Sequence, residues 1–230
     1  MSTSRTVLSL LLLYFLSCAA AAETIAIIGT GDVGRALGPA FAEQGHTIVY
    51  GSRDPSRSAV ASLIEKIGQG ASATTQAEAA AAADIVVLAV PGLLAGEITA
   101  SLGDLSGKII IDPTNPLQRS LMTFRHGVET SNAEIIQAMA PRAEVVKAFN
   151  TLSWETMVDP DSARGPVSVP LAGNSGSAKK VVAELVAGMG LEPIDVGPVE
   201  SAHWLEGMLI LWINNRFSMR DSFDFYLRKN

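Results

Sequence analysis

The chain has 230 residues, of which 48% are hydrophobic and 6% aromatic, and its formal net charge is -6. This length allows one well-buried α/β domain with extensions, and it excludes two full domains. The acidic balance argues against a basic binding surface, so we expect no nucleic-acid partner.

The first 22 residues differ in composition from the rest of the chain. Arg5 is the only charged residue before an uncharged run over 6–22, which ends in Ala20-Ala21-Ala22. A basic start, an apolar centre and a small-residue end are typical of a secretory signal peptide. We therefore expect residues 1–22 to direct export to the periplasm or the medium. One alternative is that residues 1–22 are an uncleaved membrane anchor, in which case this segment alone contacts the membrane. The other is that the start of the chain is assigned too early and the protein is cytoplasmic.

A glycine-rich loop follows the first predicted strand, Thr24–Ile28. We expect a helix over Arg35–Gln44 after the loop and a second strand over His46–Gly51. Such a strand–loop–helix–strand unit with G-x-G-x-x-G spacing binds the pyrophosphate of a dinucleotide at the helix N-terminus. The loop residues predicted to bind a cofactor are Gly29, Thr30, Gly31, Asp32, Val33 and Gly34.

The tip of the second strand indicates which dinucleotide binds. NAD sites usually place Asp or Glu there to accept hydrogen bonds from the ribose 2′-hydroxyl. This chain has Ser52 and Arg53 at that position, with Arg57 one helical turn further on. A guanidinium binds a 2′-phosphate through charge-assisted hydrogen bonds, whereas a carboxylate repels it. The sequence therefore predicts NADP(H) as the cofactor, although both arginines are also compatible with an ordinary solvated loop.

Strands and helices alternate along the rest of the chain, which is typical of an α/β fold of the Rossmann type with a doubly wound, mostly parallel sheet. We expect this NADP-binding domain to span 23–200 and a C-terminal helical extension, 201–230, to pack on the same domain. Predicted strands are 71–74, 84–90, 108–112, 144–149, 167–172 and 192–196, and predicted helices are 62–68, 76–83, 94–102, 133–139, 178–188 and 201–227. In the last helix Trp204, Leu205, Met208, Leu211 and Trp212 are spaced to bury one face.

The carboxyl ends of parallel strands share one edge of the sheet, where ligands of such folds bind. Candidate site residues lie at the ends of three of the later predicted strands. They are Ala89, Val90 and Pro91 at the end of the fourth strand, Asn115 after the fifth, and Asn150 with Thr151 after the sixth. We expect these residues to complete the cofactor site, although Pro91 is also explained by the ordinary role of proline in ending a strand.

These motifs together resemble the NADPH-dependent coenzyme F420 reductases. The matching segments are the glycine loop, Gly51-Ser52-Arg53, Ala89-Val90-Pro91, Asp112-x-Thr114-Asn115-Pro116 and Val146–Thr151, and the resemblance covers about Thr24 to Trp212. It implies that Thr30 contacts the phosphates, that Ser52, Arg53 and Arg57 hold the 2′-phosphate, and that Pro91 lies beside the ribose and nicotinamide. Asn150 and Thr151 would lie near the nicotinamide or the acceptor. Gly173-Asn174 departs from the Gly-Asp expected in this family.

The resemblance implies an oxidoreductase in which hydride passes directly between NADP(H) and coenzyme F420 or a flavin. Such a reaction needs close apposition of two rings and no acid–base side chain, and we assign no catalytic residue and no metal site. The module is also similar to the NADPH domain of membrane ferric reductases, so a non-catalytic NADP-binding module or a domain assisting a membrane partner is an alternative. A hydroxyacid dehydrogenase using Lys179 or Lys180 is a weaker one. A homodimer is compatible with the sequence.

Overall fold

The structure is a computed structural model that describes residues 22–68, 70–120, 123–218 and 223–229. The predicted signal peptide falls on residues 1–22 and therefore lies almost entirely outside the described part of the chain. Within the described part, the helices are all too short or too polar to cross a membrane.

One eight-stranded sheet forms the centre of the protein. Its strands lie in the order β10-β9-β8-β5-β4-β1-β2-β3 and pair in parallel, except that β9 pairs antiparallel with β8 through a single bridge. A separate antiparallel hairpin is made by β6 and β7. The strands are β1 Thr24–Ile28, β2 Thr47–Gly51, β3 Ala71–Thr74, β4 Ile85–Leu88, β5 Ile109–Asp112, β6 Leu117–Ser120, β7 Thr123–His126, β8 Glu144–Lys147, β9 Ser168–Ala172 and β10 Glu192–Gly197.

Eight α-helices connect or flank these strands in the described part of the chain. They are α1 Asp32–Glu43, α2 Ser58–Ile67, α3 Gln76–Ala82, α4 Ala95–Ser101, α5 Asn132–Met139, α6 Trp154–Val158, α7 Gly176–Gly188 and α8 Ala202–Phe217, with short 3₁₀ turns at Gly92–Leu94, Pro160–Ser162 and Val199–Ser201. Side-chain hydroxyls cap several N-termini. Ser131, for example, accepts a hydrogen bond from the backbone N–H of Glu134.

The sheet separates two apolar clusters, because successive residues of each strand point to opposite faces. Ile25 and Ile27 pack with residues of α1, α2 and α7 on one face. Ala26 and Ile28 pack with residues of α3, α4, α5 and α8 on the other. The predicted doubly wound α/β fold is thus confirmed, with helices covering both faces.

Several predicted elements differ from the structure. The hairpin of β6 and β7 and the short helix α6 were missed. Helix α1 begins three residues earlier than predicted, and α8 ends at Phe217, ten residues before the predicted end, since 223–229 has no regular structure. The predicted apolar face of α8 is confirmed only at Leu205, which is buried, and at Met208, which packs against the second apolar cluster. Trp204 is 73% and Leu211 62% exposed, while the buried side chains are Ala202, Leu205, Glu206 and Leu209.

Candidate functional site

The three motif glycines have different surroundings. Gly29 has φ +111°, and a Cβ there would overlap the carbonyl oxygen of Ala89 on the neighbouring strand end. A Cβ on Gly34 would overlap the carbonyl oxygen of Gly29, so the helix packs directly on the loop. Gly31, in contrast, has no atom within 4 Å of the position that a Cβ would take. The loop therefore packs tightly against the protein at Gly29 and Gly34, and it has free space beside Gly31.

Helix α1 begins immediately after Gly31, and no side chain caps its N-terminus. The first N–H groups of a helix have no partner within the helix, and together with the helix dipole they favour an anion. Asp32, Val33 and Gly34 form the first turn behind the loop. None of the three lines the groove described next.

A groove of about 710 Å³ runs over the carboxyl ends of β1, β2 and β4. Nine of the predicted residues line it, namely Gly29, Thr30, Gly31, Ser52, Arg53, Arg57, Ala89, Val90 and Pro91. Sequence reasoning missed Gln76, Leu94, Glu97 and Ile98, which also line it. The last three lie in or beside α4, and no local motif marks them.

The β2 end of the groove carries two guanidinium groups. Arg53 is exposed, and the Nη2 atom of Arg57 donates a hydrogen bond to the Thr30 hydroxyl at 3.0 Å. The Ser52 hydroxyl is engaged with the backbone of Asp54, donating to its carbonyl at 3.0 Å. The Asp54 carboxylate accepts bonds from the backbone and hydroxyl of Ser56. The cationic character of this end therefore comes from the two arginines, and Ser52 shapes the turn that presents them.

The remaining predicted residues lie at the ends of β5 and β8. The Nδ2 atom of Asn115 donates to the Asn150 carbonyl at 3.0 Å, and Nδ2 of Asn150 donates to Oδ1 of Asn115 at the same distance. Phe149 adopts φ 65°, a conformation unusual for a residue with a side chain, and so turns the chain sharply before Asn150. The buried Asn150 Oδ1 and Thr151 Oγ1 have no hydrogen-bond partner among the described residues.

The groove over the ends of β1, β2 and β4 and the amide pair at the ends of β5 and β8 lie on the same edge of the sheet, and β1 is the neighbour of β4. Between these two adjacent strands the direction of strand succession reverses, and folds of this type bind their ligands at such a point. Open loop, uncapped helix and paired arginines define the class of the protein, a dinucleotide-binding protein of the Rossmann type.

A buried charged cluster below the amide pair was not predicted. The Nζ atom of Lys147 lies 2.9 Å from Oδ2 of Asp112 and 2.6 Å from Oε1 of Glu206, and all three side chains are fully buried. Lys147 and Asp112 belong to recognised motifs, and their signal was a charge inside an otherwise apolar strand. Glu206 has no such signal, because a charge on a helix usually indicates a solvated face.

His126 of the hairpin extends this cluster toward the surface. Its Nδ1 lies 2.7 Å from the Val128 carbonyl, and its Nε2 lies 2.7 Å from Oε2 of Glu206. A carbonyl oxygen only accepts, so Nδ1 carries a hydrogen. The second contact then requires one more proton, on either Nε2 or the carboxyl group. Burial is the largest cause and raises the pKa of Glu206. The positive charge of Lys147 opposes this shift, and the negative charge of Asp112 adds to it.

Comparison with known proteins places the chain in a family. The profile described as NADP oxidoreductase, coenzyme F420-dependent, matches residues 24–116. The F420-dependent NADP reductase of Methanothermobacter thermautotrophicus is 32% identical over 83% of this chain and 88% of its own length. A crystal structure of a proposed F420-dependent NADP reductase from Arthrobacter sp. FB24 superposes with a TM-score of 0.82 at 33% identity, covering 90% of this chain and all of that one.

Metalloreductase STEAP3 of Rattus norvegicus is 32% identical over 81% of this chain. The aligned part is only 36% of the length of that protein. The chain belongs to the F420-dependent NADP oxidoreductase family. The predictions of a Rossmann-type fold and of membership in this family are thereby confirmed.

Proposed function

We propose that the protein is an NADPH-dependent oxidoreductase that transfers hydride between NADP(H) and a deazaflavin or flavin acceptor. The observation that carries this proposal is the groove, which is lined by the open Gly31 together with Arg53 and Arg57. Unpaired N–H groups at a helix start suit a pyrophosphate. Two guanidinium groups suit the additional phosphate that distinguishes NADP from NAD.

The same geometry supports an orientation for the nucleotide. If the 2′-phosphate lies at the β2 end, the nicotinamide half extends over β4, β5 and β8 toward Pro91, Asn115 and Asn150. The unpartnered Oδ1 of Asn150 is suited to accept a hydrogen bond from a carboxamide N–H, and the Thr151 hydroxyl offers a second polar contact. NADPH supplies the hydride, while these residues orient its ring and exclude water.

The acceptor in this proposal is coenzyme F420 or a flavin, since relatives of similar length carry an F420-dependent name. The direct test is the rate of NADPH oxidation by the purified protein with F420, FMN, FAD or a ferric chelate. We expect turnover with a deazaflavin or flavin ring. NADPH binding without turnover on any of the four would overturn the proposed transfer and leave a nucleotide-binding module.

The metalloreductase relatives favour a second candidate function, in which the acceptor is held by a separate membrane partner. The support is the coverage, because this chain corresponds to about a third of each of those longer proteins. This candidate predicts slow reaction with free flavins and faster reaction once membranes from the source cells are added. Equal rates with and without membranes would exclude it.

The choice of cofactor is tested by Arg53→Ala. Losing a charge-assisted contact to the 2′-phosphate is expected to weaken NADPH binding by about 1.5–3 kcal/mol, roughly ten- to hundred-fold. NADH binding should change little, because NADH has no such phosphate. Arg164→Ala, which removes an exposed arginine outside the groove, is the matched control. Equal weakening of both nucleotides by Arg53→Ala would refute the NADP assignment.

We also propose that two copies of the chain associate through α8. Trp204 and Leu211 are seven residues apart, which is two helical turns, and both are strongly exposed. Large exposed apolar side chains on one helix face are typical of an interaction surface.

A further inference from the structure

The Lys147 ammonium group has more hydrogen-bond acceptors than neutralisation of its charge requires. Its ammonium group donates to Asp112 Oδ2, to Glu206 Oε1 and, at 2.5 Å, to the carbonyl oxygen of Thr114. A lysine ammonium has three N–H donors, so every donor has an acceptor. Replacing buried ion pairs with apolar residues is often neutral or stabilising, so this cluster is weak evidence for a role in stability alone.

Each partner of Lys147 is either Thr114 itself or a residue connected to Thr114 by hydrogen bonds. The second carboxylate oxygen of Asp112 accepts hydrogen bonds from the Thr114 N–H at 2.8 Å and the Thr114 hydroxyl at 2.6 Å. Nδ2 of Asn132, whose backbone N–H also donates to Glu206, contacts that hydroxyl at 2.7 Å. Each polar group of Thr114 is thus fixed, directly or through Asp112, by the charged cluster.

Thr114 is followed directly by Asn115, one half of the amide pair. The other half, Asn150, follows Lys147 by three residues across the turn at Phe149. Asp112 and Lys147 are paired neighbours on β5 and β8, so the cluster joins the two strand ends that carry the pair. The Lys147 side chain therefore fixes the position of Asn115 through Thr114. Its backbone belongs to β8, the strand that leads to Asn150.

We propose that Lys147 is a positioning residue that fixes the Asn115–Asn150 pair and thereby directs the unpartnered Oδ1 of Asn150 at the nicotinamide half of NADP(H). This inference rests on the proposed function for the identity of the ligand. It assigns a role to a residue that contacts neither the nucleotide groove nor solvent. The role predicts an effect confined to one half of the nucleotide.

The test compares two probes by titration calorimetry, NADP⁺ and adenosine 2′,5′-bisphosphate, which lacks the nicotinamide half. In Lys147→Met we expect NADP⁺ to bind about five-fold or more weakly, as for one lost hydrogen bond, and the bisphosphate to bind as in the wild type. Lys179→Met removes another lysine–aspartate ion pair, that with Asp195, away from the amide pair and is the control. It should change neither affinity.

Lys147→Met leaves two buried carboxylates without their cation, so a second variant guards against unfolding. In Lys147→Met combined with Asp112→Asn one positive and one negative charge are removed, so the net charge of the cluster equals that of the wild type, and the new amide oxygen still accepts from Thr114. The same selective loss of NADP⁺ is expected there. Equal weakening of both probes, no weakening of either, or failure of both variants to fold would each overturn the proposal. Failure of the wild type to bind either probe would refute the proposed function instead.

Discussion

Gly31 and Gly34 occupy equivalent places in the sequence motif but different physical environments. A methyl group on Gly31 meets no protein atom, whereas one on Gly34 meets the Gly29 carbonyl. Gly31→Ala should therefore cost at most about 1 kcal/mol of folding free energy, as for a weaker N-cap, yet block the approach of a pyrophosphate. Gly34→Ala should destabilise the protein by about 1–3 kcal/mol, because the helix must move away from the loop.

Urea denaturation and NADPH titration on the same two variants separate these effects. Gly31→Ala should lose NADPH affinity with little change in its denaturation midpoint, and Gly34→Ala should lower the midpoint further. If Gly31→Ala binds NADPH as tightly as the wild type, the pyrophosphate does not lie on this loop.

Glu206 gives the protein a pH dependence with a defined sign. Burial raises its pKa above the ordinary value of 4.5, so the folded state binds its proton more tightly than the unfolded state does. Its contribution to stability is thus fully present below pH 4.5 and is lost as the pH rises through the raised pKa. Glu206→Gln retains an oxygen for Lys147 and Asn132 and an N–H for the neutral His126 ring, and it does not titrate.

We therefore expect the unfolding free energy of Glu206→Gln to increase relative to the wild type as the pH rises from 4.5. Denaturant titrations at several pH values measure this difference. Glu155→Gln, which removes an exposed carboxylate on α6, is the control for loss of surface charge. A difference between Glu206→Gln and the wild type that does not vary with pH would contradict the assignment.

At the scale of elements, continuous apolar runs identified the strands of the main sheet well. The run Ile85–Leu88, for instance, is fully buried, as expected for a parallel strand covered on both faces. The hairpin was missed because Leu117–Ser120 and Thr123–His126 are short and largely polar. The buried face of α8 was predicted only in part, because Glu206 points inward to Lys147, a long-range pairing that helical periodicity does not encode.

Asn214 of α8 attaches the hairpin to this helix, in addition to the contact of His126 with Glu206. Oδ1 of Asn214 accepts from the Phe124 N–H at 2.6 Å, and its Nδ2 donates to the Phe124 carbonyl at 2.8 Å, as a neighbouring strand would. Asn214→Ala should cost about 1–3 kcal/mol, since it leaves two backbone groups unpaired. Hydrogen exchange should show faster exchange at Phe124 and unchanged exchange in β1. Unchanged exchange at Phe124 would show that other contacts hold the hairpin.

For the whole molecule, the sequence predicted the doubly wound fold and the glycine-loop end of the site, since both depend on local patterns in adjacent segments. It also marked Asn115 and Asn150 as residues at strand ends. It did not predict the bonds between them or the charged cluster beneath, because these contacts depend on the side-by-side register of β5 and β8, distant in sequence. In the proposed function, local motifs thus indicate where the dinucleotide approaches, and long-range register determines how its nicotinamide half is held.

The proposed association through α8 is a prediction about the molecule as a unit. Trp204 and Leu211 cost solvation free energy when exposed, and burying them against a second copy would recover about 1.5–3 kcal/mol for each side chain. Light scattering after gel filtration should give twice the chain mass for the wild type and the single-chain mass for Leu211→Glu. Leu93→Glu changes another exposed leucine, far from α8 in sequence, and should stay dimeric. A wild-type protein that remains monomeric at high micromolar concentration would rule out this interface.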